Sequence, residues 1–127
     1  MKIKTLLICL ALPFCFLPAA AQGNVITGAE RTQVYMPMLK GKKVAVFANQ
    51  TSTVKGTHLV DTLIKSGINV VKIFGPEHGF RGTADAGEHV KDGTDKKTGL
   101  PVTSLYGDHK KPTPGDLKDI DVLIFDI

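Results

Sequence analysis

The chain has 127 residues, a formal net charge of +4 and two cysteines. The charge is too mild for a nucleic-acid-binding protein, and no basic stripe carries interleaved aromatics. A chain of this size buries one modest core, so it holds a single domain or part of one.

Residues 1–21 read as a signal peptide. Lys2 and Lys4 make a basic start, 6–17 is a short apolar run, and Ala19, Ala20 and Ala21 give the small-residue pattern of a cleavage site. The run is too short for a comfortable transmembrane helix. Cys9 follows Ile8 and Cys15 follows Phe14, whereas a lipoprotein signal needs a small residue there. Cleavage after Ala21 leaves 106 residues with a charge of +2 and no cysteine. The expectation is an exported bacterial protein, periplasmic or secreted. It would have no stable membrane anchor, no disulfide and no thiolate chemistry.

The domain then occupies 22–127. Thr27 and Glu30 have capping-box spacing, which predicts a helix from about Gly28 toward Tyr35, kinked or stopped at Pro37. Lys43-Val-Ala-Val-Phe-Ala-Asn49 is a continuous apolar run between polar residues, as in a strand covered on both faces. Asn49, Gln50 and Thr51 form its polar exit. From about Thr57 to Ser66 a helix is predicted, with Leu59, Val60, Leu63 and Ile64 on one stripe. Asp61 and Lys65 stand four apart on it, and Gly67 supplies its stop. A second buried strand covers 69–74. Strand, helix and strand in this order make a βαβ unit with parallel strands and a right-handed crossover. A shorter strand is predicted over 100–106. Thr113 and Pro114 open a short helix with Asp116 in its first turn. A last buried strand spans 121–127. Nothing follows Ile127 to cover that strand, so a truncated sheet is expected. The fold class is α/β: a Rossmann-like, mostly parallel sheet with flanking helices, incomplete at its C-terminus.

Ligands of open α/β sheets bind beyond the carboxyl ends of the strands. Three such ends are legible. Asn49 and Gln50 follow the first strand, Glu77 and His78 the second, and Asp126 closes the last. The second end opens a loop, 75–87, with four glycines and several ionisable groups. Glu77 lies between Pro76 and Gly79, on the lip of an apolar strand, where desolvation favours a general acid. His78 orients a substrate or bonds to backbone. Arg81 clamps a carboxylate, or pairs with Asp85 or Glu88. Asp126 is a second acid/base or a loop cap. Glu77, His78, Asp85, Glu88, His89 and His109 fit no metal-ligand signature. The glycines Gly75, Gly79, Gly82 and Gly87 match neither a P-loop nor a dinucleotide fingerprint. No metal and no cofactor are expected.

Five ordered blocks carry a family resemblance. They are Val44-Ala-Val-Phe-Ala-Asn-Gln-Thr51, Phe74-Gly-Pro-Glu-His-Gly-Phe-Arg-Gly82, Thr98-Gly-Leu-Pro-Val102, Ser104-Leu-Tyr-Gly107 and Ile120-Asp-Val-Leu-Ile-Phe-Asp-Ile127. Together they resemble the exo-β-N-acetylmuramidase family, the NamZ-like glycoside hydrolases. The resemblance implies a Rossmann-like N-terminal domain. It also implies release of terminal N-acetylmuramic acid from the non-reducing ends of peptidoglycan fragments, in cell-wall turnover or recycling. Glu77 then matches the candidate catalytic acid, with His78, Asn49 and Asp126 lining its cleft. Arg81 as the clamp on the lactyl carboxylate is a hypothesis added to the resemblance. Family members are several times longer, and the part beyond Ile127 is expected to supply one cleft wall and a second catalytic group. The alternative from another class is a non-catalytic muramyl-saccharide-binding module, using Arg81 and Asn49.

Overall fold

The structure is a computed structural model that describes residues 23, 25–83 and 91–127. The expected signal peptide and loop residues Asp85, Gly87, Glu88 and His89 lie outside the described residues. Chain order gives helix α1 (Thr32–Leu39), β1 (Val44–Ala48), β2 (Thr53–Val54), β3 (Thr57–His58), α2 (Leu59–Lys65), β4 (Val70–Gly75), β5 (Gly93–Thr94), β6 (Pro101–Ser104) and β7 (Val122–Asp126). Five strands form one sheet in the order β5-β6-β4-β1-β7. β1 pairs in parallel with β4 and β7, and β4 with β6, while β5 runs antiparallel to β6. The expected α/β class with a mostly parallel sheet is what the backbone forms.

β1 takes the centre because it is apolar on both faces. Val44, Ala45, Val46 and Ala48 are all fully buried. On one face α2 sets Leu59, Val60 and Leu63 against Val46, Val70 and Ile73, and this is the main core. Fully burying each large side chain there is worth roughly 1.5–3 kcal/mol. Ser66 and Gly67 close α2, and Gly67 adopts φ +77, a conformation that glycine reaches without a Cβ penalty. The other face is thinner: Ala45, Phe74 and Leu105, flanked by Phe47 and Ile120.

Several boundaries differ from expectation, for identifiable reasons. The Thr27–Glu30 box forms: the Thr27 N–H donates to Glu30 Oε2 (3.1 Å) and the Glu30 N–H donates to Thr27 Oγ1 (3.3 Å). It closes a turn ahead of α1, which starts later and runs through Pro37. The proline's missing N–H leaves only the carbonyl of Gln33 unbonded, and Gln33 is exposed to water. Thr57 and His58 belong to a hairpin rather than to α2. The connecting Lys55 and Gly56 both have positive φ (49 and 78), the pairing of a tight two-residue turn. Asp61 turns to Arg81 and Lys97 across the fold. Thr113 and Asp116 bond reciprocally (2.8 and 3.2 Å). The expected short helix is instead a run of turns, with the Leu117 N–H donating to the Thr113 carbonyl and the Lys118 N–H to the Gly115 carbonyl, and Asp119 at φ +61 ends it. β7 is an edge strand and is not covered on both faces. Val122 and Ile124 pack on the main core, whereas Leu123 is 41% and Phe125 68% exposed. Phe125 is met on that face by Phe47, stacked at 4.8 Å.

Candidate functional site

Because β6, β4, β1 and β7 are parallel, their carboxyl ends share one rim. In that order they deliver Tyr106, Glu77, Asn49 and Asp126. The loop after β4 is a tight reversal. The Gly79 N–H donates to the Pro76 carbonyl (3.0 Å), with His78 and Gly79 both at positive φ (67 and 72). Histidine in this region is uncommon and mildly strained. Phe80 is buried and pins the loop to the core. Gly82, also at positive φ, lies so close to Gln50 that a Cβ there would meet Gln50 Cβ at 2.8 Å. Gln50 therefore packs the β1 exit against the β4 loop.

Asn49 is held by its neighbours. Its Oδ1 accepts from the Thr51 N–H (2.9 Å) and the Thr51 hydroxyl (2.7 Å). Ser52, only 1% exposed, accepts from the Asn49 N–H (3.1 Å) and donates to the carbonyl of Asp126. This ties the end of β7 to the exit of β1. His58 makes the corresponding link on the other side. Its Nδ1 accepts from the Val60 N–H (3.3 Å), so the neutral ring carries its proton on Nε2. Nε2 lies 3.0 Å from the Asn49 carbonyl and 3.1 Å from the Phe80 carbonyl. The ring meets Phe80 edge-on at 5.3 Å. Ser52 and His58 were not among the sequence candidates. The only local hint for His58 was its place just before an apolar helical stripe.

Glu77 is exposed, so the desolvation expected at its carboxyl is absent. Its Oε1 accepts from the Tyr106 hydroxyl at 2.9 Å. That contact raises the Tyr106 pKa, first through the hydrogen bond and then through the carboxylate's charge. His78 is half-buried beside it.

Arg81 does not offer a free clamp. Nε and Nη2 donate to the two oxygens of Asp95 (2.9 and 2.8 Å), while Nη2 and Nη1 donate to the two oxygens of Asp61 (2.8 and 3.2 Å). Its plane lies over Phe80, 4.7 Å from the ring centre. Asp95 also accepts from the Thr98 N–H and hydroxyl, and Lys97 reaches Asp61 at 2.6 Å. Hydrogen bonds from Arg81 are the main cause lowering the pKa of both aspartates, that of Asp95 well below the usual carboxylate range, against an opposing effect of burial. With both edges of the guanidinium committed, the expected role as a lactyl clamp gives way to fastening α2 and the 95–99 turn under the β4 loop.

Asp126 ends β7, half-buried. Burial, and next the charge of Asp126, raise the pKa of Tyr35, whose hydroxyl donates to the Ala29 carbonyl at 2.7 Å. Tyr35, Asp126, Leu39, Leu59 and Ile124 border an apolar hollow of about 370 Å³ between α1 and β7. β1 separates β7 from β4. Two interstrand spacings therefore put the ends that carry Asp126 and Glu77 roughly 10 Å apart. Among the described residues no three His, Cys, Asp or Glu side chains cluster as metal ligands. His109 lies 3.1 Å from Asp116 instead.

A parallel α/β domain with polar groups gathered at the carboxyl rim is the class that these features define. The description "Exo-beta-N-acetylmuramidase NamZ, N-terminal" matches residues 44–127, and the chain belongs to that family. A curated relative, the peptidoglycan beta-N-acetylmuramidase NamZ of Bacillus subtilis strain 168, is 43% identical over 102 residues. The match covers 73% of this chain and 23% of the relative. Two crystal structures of DUF1343 family proteins from Bacteroides fragilis are also similar. One is 44% identical at a TM-score of 0.66, covering 82% of this chain and 26% of that one. The other is 42% identical at 0.68, covering 80% and 25%. The chain thus spans about a quarter of the length of these relatives.

Proposed function

We propose that the chain forms the Glu77-bearing rim of a β-N-acetylmuramidase site. The site would act on terminal N-acetylmuramic acid at the non-reducing ends of peptidoglycan fragments, in an exported bacterial protein. The observation that carries this reading is the position of Glu77. It stands at the carboxyl end of β4, on the edge where α/β sheets bind ligands, within the span matched by the muramidase family. In this reading Glu77 exchanges a proton with the glycosidic oxygen, His78 and Asn49 line the sugar, and Asp126 is the nearest candidate for a second carboxylate. Inverting enzymes leave room for water between their carboxyl groups and retaining enzymes do not, so the reach of the Glu77 and Asp126 side chains decides the outcome.

A second reading, muramyl binding without turnover, is favoured by the exposure of Glu77, which lacks the buried setting expected of a general acid. A chromogenic N-acetylmuramide, with the matching N-acetylglucosaminide as control, separates the two. The expected result, with residues 22–127 carried in a chain of the relatives' full length, is release of the chromophore from the muramide alone. Saturable binding without release supports the module, and neither binding nor release overturns both.

A further inference from the structure

We propose that Tyr106 is a positioning residue for Glu77, engaging one carboxyl oxygen so that the other one exchanges the proton. This rests on the reading of Glu77 as the reacting acid. The pairing is built into the sheet. β6 and β4 are neighbours with Gly75 opposite Ser104, and the Leu105 N–H carries the ladder one step on by donating to the Gly75 carbonyl at 2.8 Å. Glu77 and Tyr106 each stand two residues beyond that aligned pair. Leu105 is buried and anchors the β6 exit, so the tyrosine ring projects from a fixed base. Its hydroxyl reaches Glu77 Oε1 at 2.9 Å.

The proton count follows from this contact. With Glu77 ionised, Oε1 accepts from Tyr106 and Oε2 is the basic oxygen. With Glu77 protonated, the acid proton sits on Oε2, and Oε1, now the carbonyl oxygen, still accepts from Tyr106. Tyr106 keeps its proton throughout and transfers none. It holds the carboxyl in one orientation while Oε2 gives a proton to the leaving oxygen or takes one from water. The neighbouring carboxylate opposes ionisation of the phenol, which keeps it a donor across the neutral range.

The test has two arms. The chain contains two tyrosines, Tyr35 and Tyr106. Carbon-13 labelling at the phenol carbon follows each ionisation by NMR, and Tyr106→Phe assigns the signals. Tyr106 is expected to ionise above the ordinary tyrosine value in the native chain and at lower pH in Glu77→Ala. An unchanged Tyr106 midpoint in Glu77→Ala overturns the pairing, whether or not the chain is active. In the muramide assay, Tyr106→Phe is expected to lower kcat roughly ten- to a hundredfold, as for one hydrogen bond to a charged group, with KM nearly unchanged. The same change in a Glu77→Gln background should add nothing, and an additive loss there overturns the positioning role. Full activity of Glu77→Gln alone would instead remove the reading of Glu77 as the acid, while the NMR arm still decides the contact.

Discussion

Glu77→Gln is expected to lower kcat for N-acetylmuramide hydrolysis by about two to four decades, the usual worth of a general acid or base. Glutamine keeps the shape of the side chain and an oxygen that accepts from Tyr106, but it has no proton to exchange at neutral pH. Binding of the sugar rests on other groups of the rim, so KM should stay within about threefold, the mark of an interaction made only in the transition state. The side chain is exposed, so stability should change by no more than about 0.5 kcal/mol. A loss of activity would then not be a loss of fold. Activity within tenfold of the native chain would contradict the role given to Glu77.

The largest stability effect is expected at Arg81. Arg81→Met should destabilise the domain by about 3 kcal/mol, the low end for breaking a buried ion pair by removing one partner. The low end is chosen because the Arg81 side chain retains 23% exposure, although Asp95 retains only 6%. Methionine preserves contact with Phe80 and leaves Asp95 with Thr98 as its remaining side-chain partner. Arg81→Lys should not restore stability, since an ammonium cannot present the two-sided fork that meets Asp61 and Asp95. The pH dependence has a definite sign. Both aspartates have folded pKa values below their unfolded ones. Their contribution is therefore fully present above the ordinary carboxylate pKa, about 4, and is lost as pH falls below it. Chemical denaturation at several pH values should show the native chain weakening below about pH 4 and Arg81→Met varying less over the same range. A change of under about 1 kcal/mol at neutral pH would mean that the network behaves like an ordinary surface ion pair.

The sheet was legible where local composition decides it. The apolar runs at Val44–Ala48 and Val70–Gly75 are short, rich in valine and bounded by polar residues or glycine, the pattern of covered strands, and the polar exits followed directly. The rim residues Asn49, Glu77 and Asp126 were found because they end such runs. What was missed depends on partners distant in the chain. Arg81 meets a carboxylate 20 residues earlier and another 14 later, and Ser52 reaches Asp126 across 74 residues. Nothing local at Arg81 distinguishes a clamp for substrate from a fastener of the fold. β7 reads like a buried strand because Leu123 and Phe125 are as apolar as Val122 and Ile124, and exposure depends on what lies against each face. The hairpin at 53–58 was hidden by Thr57 and His58, which fit the start of the following helix equally well. The resemblance to the muramidase family added a chemistry that no spacing in the chain encodes.

The rim itself is most directly tested by mapping N-acetylmuramic acid onto the labelled domain by amide NMR during titration. If the carboxyl ends of β1, β4 and β6 form the sugar site, shifts should concentrate at 49–52, 77–82 and 105–107 and saturate together. Shifts confined to the hollow between α1 and β7, or none at a saturating concentration, would contradict a muramyl site at Glu77.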